Sequence, residues 1–159
     1  MPVRPIASSD GPALLSAFNR LSPETRHARF AGAKPRLTKG EVAYFVDIDH
    51  HDHEALIALD PDDGGIVAVA RFASEASRAE AEVAIAVGDA WQGRGVGSAL
   101  IEQLLERAEQ EGVPQLTASV LADNTRSLRM LAHAGFEVSE QHWGMINMVR
   151  PVAGTHAEA

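Results

Sequence analysis

The stretch "AEVAIAVGDAWQGRGVGSALIEQLLERAEQEG", residues 81–112, constrains the fold more than any other. Its opening, "AEVAIAVG", is apolar at both odd and even positions, as expected of a central strand covered on both faces. Gly93, Gly95 and Gly97 then alternate around Arg94 and Val96. After them Val96, Leu100, Leu104 and Ala108 make one helical stripe, with Glu102, Glu106 and Glu109 off it. Gly112 and Pro114 stop the helix. A buried strand, a glycine loop and an amphipathic helix in succession call for a layered α/β domain.

Such a loop has a physical use. Backbone N–H groups at a helix N-terminus carry partial positive charge, and glycine lets an anion approach without meeting a Cβ, so pyrophosphate is the natural guest. The Gly-Lys-Ser/Thr ending of a Walker loop is absent. The dinucleotide fingerprint wants glycine at position 98, where Ser98 stands. Taken alone, the loop can also be read as a glycine-rich turn without a ligand.

The flanking sequence alternates strands and helices. "PVRPI" (2–6) reads as a first strand, "SSDGPALLSAFNRL" as a capped helix, and "SPETRHARF" as a helix with a serine cap and proline in its first turn. "TKGE" has capping-box spacing and predicts a short helix to Val46. "HEALIALD" and "GIVAVARF" around "PDDGG" predict an antiparallel hairpin. "QLTASVL" is a strand, "NTRSLRMLAHAG" a capped helix ended by Gly135, and "FEVSEQHWGMINMVR" two closing strands. The expectation is one domain over 1–150, with 151–159 as a disordered tail or linker stump.

Composition narrows the classes. With 159 residues, 45% hydrophobic and 23% charged, a single core is attainable. The lack of cysteine excludes a disulfide scaffold, a cysteine zinc site and a thiol nucleophile, and fits a reducing cytoplasm. No apolar run is long enough to span a membrane. A net charge of -8 disfavours nucleic acid, whose phosphates are neutralised by Lys and Arg. The "HHDH" run at 50–53 lacks metal-ligand spacing, so no metal is expected. Trp91 and Trp143 read as packing anchors.

"QGRGVG" resembles the pyrophosphate loop of the GCN5-related N-acetyltransferases, and "ADNTRSLRMLAHAGFEV" is similar to that family's second signature, with Asn124, Gly135 and Phe136 in place. "LSPETRHARF" and "DIDHHDHEALIAL" further resemble bacterial Pat-type protein lysine acetyltransferases. The resemblance implies a mixed, mainly antiparallel sheet of six to seven strands flanked by helices and opened by acetyl-CoA. It implies contacts to that cosubstrate from Ile85, Ala86, Val87, Gln92, Gly93, Arg94, Gly95, Val96, Gly97, Ser98, Asn124 and Ser127. It further implies a strand bulge whose N–H polarises the thioester, and a protein acceptor such as an acyl-CoA synthetase.

Acetylating a lysine, whose ordinary pKa is about 10.4, requires a base. Glu82 is the candidate, on one side of its strand with Ala84, Ala86 and Gly88; Glu80 shares its parity and is the alternative. Glu82 is also readable as a solvated charge at a strand end. Asn124 is a helix cap, a cosubstrate contact or both. Many relatives carry a tyrosine seven residues after this Asn as general acid; here Leu131 stands there. Asp47, Asp49, Asp52 and Glu54 either attract a basic acceptor or form a solvated loop. The other function classes left open are a small-molecule amine acetyltransferase and a noncatalytic acyl-CoA-binding module.

Overall fold

The computed structural model describes residues 1–152. Seven strands form one sheet: β1 (Val3–Pro5), β2 (His53–Leu59), β3 (Ile66–Ser74), β4 (Ala81–Val87), β5 (Gln115–Leu121), β6 (Glu137–His142) and β7 (Met145–Pro151). Their spatial order is β1-β2-β3-β4-β5-β7-β6, antiparallel throughout except for the parallel β4–β5 pair. Five α-helices accompany them: α1 (Gly11–Arg20), α2 (Pro23–Phe30), α3 (Lys39–Val46), α4 (Val96–Gln110) and α5 (Thr125–His133). Among these helices none is long and apolar enough to cross a membrane.

Local chemistry explains the elements. Ser22 Oγ accepts from Thr25 N at the start of α2, with Pro23 in its first turn, and Thr38 and Glu41 close a reciprocal capping box on α3. Asn124 Oδ1 accepts from Ser127 N at 3.2 Å and starts α5. The predicted hairpin forms between β2 and β3.

Two cores sandwich the sheet. Leu100, Ile101, Leu104 and Ala108 of α4 are at most 1% exposed and pack with Leu56, Ala70, Phe72, Val83 and Leu116. On the other face Leu14 and Val46 pack with Ile6, Ala55 and Ile57. Burying each of the larger side chains among these, the leucines, isoleucines, valines and Phe72, contributes about 1.5–3 kcal/mol.

Three expectations are corrected. Trp143 reads as a packing anchor but is 98% exposed, whereas Trp91 does pack against the core. Ala84 to Val87 are half-buried and Glu82 is exposed, so β4 lies at the sheet centre without being covered on both faces. The closing tail begins later than residue 151: Pro151 pairs with Gln115, and Val152 is 1% exposed with its N–H bonded to Pro114 O at 3.0 Å. The rest of the expected tail, 153–159, lies outside the described residues.

Candidate active site

The sheet opens at its centre. β4 pairs with β5 only at Ala81↔Leu116 and Glu82↔Thr117, and beyond Glu82 the two strands part. β4 meanwhile keeps an unbroken register with β3 from Ser74↔Ala81 to Ala68↔Val87. The strand bulge whose N–H is expected to polarise the thioester does not occur in this register, and the site opens by the parting of two parallel strands. A cleft of about 570 Å³ lies there, lined among others by Glu82, Ile85, Val87, Asn124 and Ser127.

Its edge offers backbone groups. Gly88 N donates to Val67 O at 2.7 Å, so that peptide faces β3. Successive residues of a strand alternate, which turns the backbone groups of Val83, Ile85 and Val87 toward the gap and those of Ala86 toward β3. Val87 O accordingly accepts from Gln92 Nε2 at 3.1 Å. The Ala86 side chain lines the cleft.

The glycine loop follows. Gly93 and Gly95 have φ of +75° and +82°, with open space where a Cβ would stand, so glycine serves conformation at both. Gly95 is the N-cap of α4 and no side chain caps that end, which leaves the first-turn amides of Val96, Gly97 and Ser98 without a side-chain acceptor. Gly97 is different: an added Cβ would sit 2.7 Å from Met130 Sδ. Here the packing of α4 on α5 through the Met130 side chain leaves little room for a Cβ. Arg94 is exposed and stacks 4.9 Å from the Trp91 ring centroid.

Gln92 is a brace. Its amide also donates to Thr25 Oγ1 at 3.1 Å and accepts from Arg126. Asp89 accepts from Ser22 N, Ser22 Oγ and Thr25 Oγ1 at 3.0, 2.7 and 3.0 Å. Burial would raise the Asp89 pKa, but these hydrogen bonds from Ser22 and Thr25 outweigh it and hold the carboxyl below its ordinary value. The turn after β4 is thus tied to the start of α2.

Glu82 lies where β4 and β5 part, on the α1–α3 face with Ala84 and Ala86. Glu80 instead accepts from Gln115 Nε2 at 3.1 Å. Leu131 is 2% exposed and lines the cleft with no proton to give. The alternating geometry of free peptides, the uncapped helix start and the two left-handed glycines fit the pantetheine and pyrophosphate of acetyl-CoA.

Of the acids before β2, Glu54 is closed to a basic acceptor, Asp49 and Asp52 are engaged locally, and Asp47 is exposed. Glu54 is 1% exposed, accepting from Arg107 Nε at 2.9 Å and Ala55 N at 2.9 Å, with His50 Nδ1 at 2.7 Å. Arg107 belongs to α4, so Glu54 lies across the sheet from Glu82. Asp49 accepts from His51 N and His53 N at 2.9 and 3.0 Å, and those backbone bonds lower its pKa. Asp52 pairs with Arg78 at 2.8 Å. The three imidazoles of "HHDH" go to separate partners, His50 to Glu54, His51 to Glu111 and His53 to Arg71.

Sequence reasoning missed Arg29 and Arg71. Arg71 is the only charge in "IVAVARFAS", a strand otherwise free of charged residues, and that was the available signal.

Comparison with known proteins agrees with this geometry. Acetyltransferase Pat of Mycolicibacterium smegmatis is 34% identical over 134 residues, covering 84% of this chain and 40% of that protein. Acetyltransferase PA5475 of Pseudomonas aeruginosa is 31% identical over 134 residues, covering 83% of this chain and 72% of that protein. The chain thus spans well under half the length of the first relative. The solved GNAT domain of S. lividans PAT superposes with a TM-score of 0.88 at 32% identity, over 94% of this chain and 89% of that one. Residues 16–136 match the acetyltransferase (GNAT) family. With its parted central strands, its glycine loop and these relatives, the chain belongs to the GNAT family of acetyl-CoA-dependent acetyltransferases.

Proposed function

We propose that this acetyltransferase acetylates the side-chain amine of a lysine in a protein, an acyl-CoA synthetase being the expected kind of target, by direct attack with Glu82 as base. The observation that carries the reading is the place of Glu82: an exposed carboxylate at the last paired position before β4 and β5 separate. A base there stands beside the free strand edge on the side opposite α4. The resemblance to Pat-type lysine acetyltransferases supports the acceptor class.

Each group has a task under this reading. Acetyl-CoA, when bound, supplies a thioester whose acetyl carbon takes the amine nitrogen and whose sulfur leaves. Backbone groups of Val83, Ile85 and Val87, with Asn124 and Ser127 across the gap, hold and orient the arm. The first-turn amides of α4 and the loop from Gln92 to Ser98 hold the pyrophosphate. Glu82 takes the ammonium proton, directly or through one water, before the nitrogen attacks, and the second N–H proton passes to water as the tetrahedral adduct collapses to the amide. Leu131 offers no proton, so the thiolate, with a pKa of about 8.5, leaves as such or is protonated by water.

The test is incubation with isotope-labelled acetyl-CoA and a native cell lysate, read by mass spectrometry. The expected result is one dominant acetylated lysine on a folded protein, formed faster than on free lysine or polyamines. Robust acetylation of small amines with no labelled protein would overturn the protein acceptor.

A further inference from the structure

The face that carries Glu82 also carries two cations that form no salt bridge among the described residues, although Arg29 feels the Glu82 charge. Arg71 is 7% exposed; its Nη1 donates to Phe45 O at 3.1 Å and approaches His53 Nε2 at 3.1 Å. Among the described residues it enters no salt bridge, and Arg29 has neither a salt bridge nor a hydrogen bond from its side chain. Both guanidinium groups stack on one ring, with Cζ 4.5 Å (Arg71) and 5.8 Å (Arg29) from the Phe45 centroid. The two line a cavity of about 350 Å³ together with Phe18, Phe30 and Phe45.

This cavity adjoins the cleft. Arg29, Phe30 and Ala86 line both. Arg71 faces Ala84 across the β3–β4 ladder, and Glu82 faces Ala73, so Arg71 and Glu82 are diagonal neighbours on one sheet face. Such a diagonal spans about 7–8 Å, within the reach of one bifunctional molecule. Burial presses the Arg71 pKa down to about 9, with Arg29 adding to the effect and Tyr44 opposing it, and the group stays cationic at neutral pH. Burial likewise lowers Arg29, with the Glu82 charge pulling the other way.

The cavity lining holds three arginines, Arg20, Arg29 and Arg71, against one carboxylate, Asp89, which is already bonded to Ser22 and Thr25, so it favours an entering anion and opposes a further cation. We propose that the acceptor carries a carboxylate close to its amine, and that Arg71 and Arg29 hold this carboxylate while the amine meets Glu82. The inference rests on the reading of the Glu82 face as the acceptor side. It replaces the expectation of basic neighbours around the acceptor lysine with an acidic one. Arg71 supplies a fixed fork for a carboxylate, and Arg29, half-buried on α2, closes over it.

The carboxylate has two sources, the α-carboxylate of a free amino-acid acceptor or an acidic side chain beside a lysine in a polypeptide. Initial rates at saturating acetyl-CoA would be compared on two matched pairs. One is Nα-acetyl-lysine against its amide; the other is acetyl-Gly-Lys-Glu-amide against the glutamine peptide. The wild-type enzyme should favour the carboxylate member of at least one pair by tenfold or more in kcat/KM, and the pair that responds names the source. Arg71→Met or, should that variant fold poorly, Arg29→Met should bring the preference near unity with KM for acetyl-CoA unchanged, and Arg71→Lys should keep part of it. Equal kcat/KM within both pairs overturns the proposal and leaves the lysine reading standing. Turnover of carboxylate-bearing amines other than lysine, against their neutral amides, supports it while removing the lysine reading. No turnover on any of these acceptors overturns both.

Discussion

Gly97 and Met130 meet where α4 crosses α5, so closely that a Cβ at residue 97 would lie 2.7 Å from the thioether sulfur. The same Cβ would touch Val87 at 3.4 Å. One glycine of the loop therefore fixes how the helix seats on the open strand, while Gly95, two residues earlier, fixes backbone direction.

These two roles separate by experiment. Gly97→Ala overpacks the α4–α5 contact and should cost about 1–3 kcal/mol of stability, part of it recovered when Met130→Ala is added. Gly95→Val meets no atoms but forces a branched residue to φ +82°, a cost of about 1–2 kcal/mol, and misdirects the amides that receive the pyrophosphate. Urea denaturation should report the larger and Met130-dependent loss for Gly97. Calorimetry with acetyl-CoA should show affinity collapsing in a folded Gly95→Val variant, and unchanged affinity there would sink the loop assignment.

The Glu54–Arg107 pair is asymmetric. Glu54 is 1% exposed, whereas the Arg107 side chain is 25% exposed and also pairs with Glu111 at 3.1 Å. Arg107→Met strands a carboxylate in the core beside His50 and should cost about 3–5 kcal/mol. Glu54→Gln leaves a cation that turns to Glu111 and to water, so its cost should be clearly smaller. Equal losses in equilibrium unfolding would refute this ordering.

A pH dependence follows from His53. Burial first, and Arg71 next, lower its pKa to about 4, against an ordinary value of 6.5. Between those values the unfolded chain takes up a proton that the folded imidazole refuses. The stability this contributes is complete above pH 6.5 and is lost as pH falls toward 4, on the order of 1–2 kcal/mol for a partly exposed group. His53→Gln should flatten that part of the stability–pH curve relative to wild type. Parallel curves for the two proteins would show that His53 does not titrate in this way.

Much of the fold was legible because it is local. Caps at Ser22, Thr38 and Asn124, the turn after Leu59 and the stripe from Val96 to Ala108 each declare themselves within a few residues. What failed was non-local. "AEVAIAVG" reads as a strand buried on both faces, and only the separation of β5 after Thr117 leaves Ala84 to Val87 half open. Glu54 looks like one more acid beside Asp49 and Asp52, until α4 brings Arg107 to it from 53 residues away. Gly97 looks like its two neighbours in the loop because Met130 arrives from another helix. Arg71 alone carried a visible warning: a charge has no reason to stand in an apolar strand unless something meets it.

The assignment of Glu82 makes the sharpest prediction. Glu82→Gln keeps the shape of the side chain, and the residue is exposed, so stability and acetyl-CoA affinity should barely change. Turnover should fall about 10²- to 10⁴-fold, the usual contribution of a general base. Raising the pH should recover part of the loss, because a larger share of the acceptor amine is then already neutral. Glu80→Gln is the control: its amide oxygen can still accept the bond from Gln115, and kcat should stay near wild type. If instead Glu80→Gln is slow and Glu82→Gln is not, the base is the carboxylate two residues back, and the acceptor enters nearer the closed end of the β4–β5 gap.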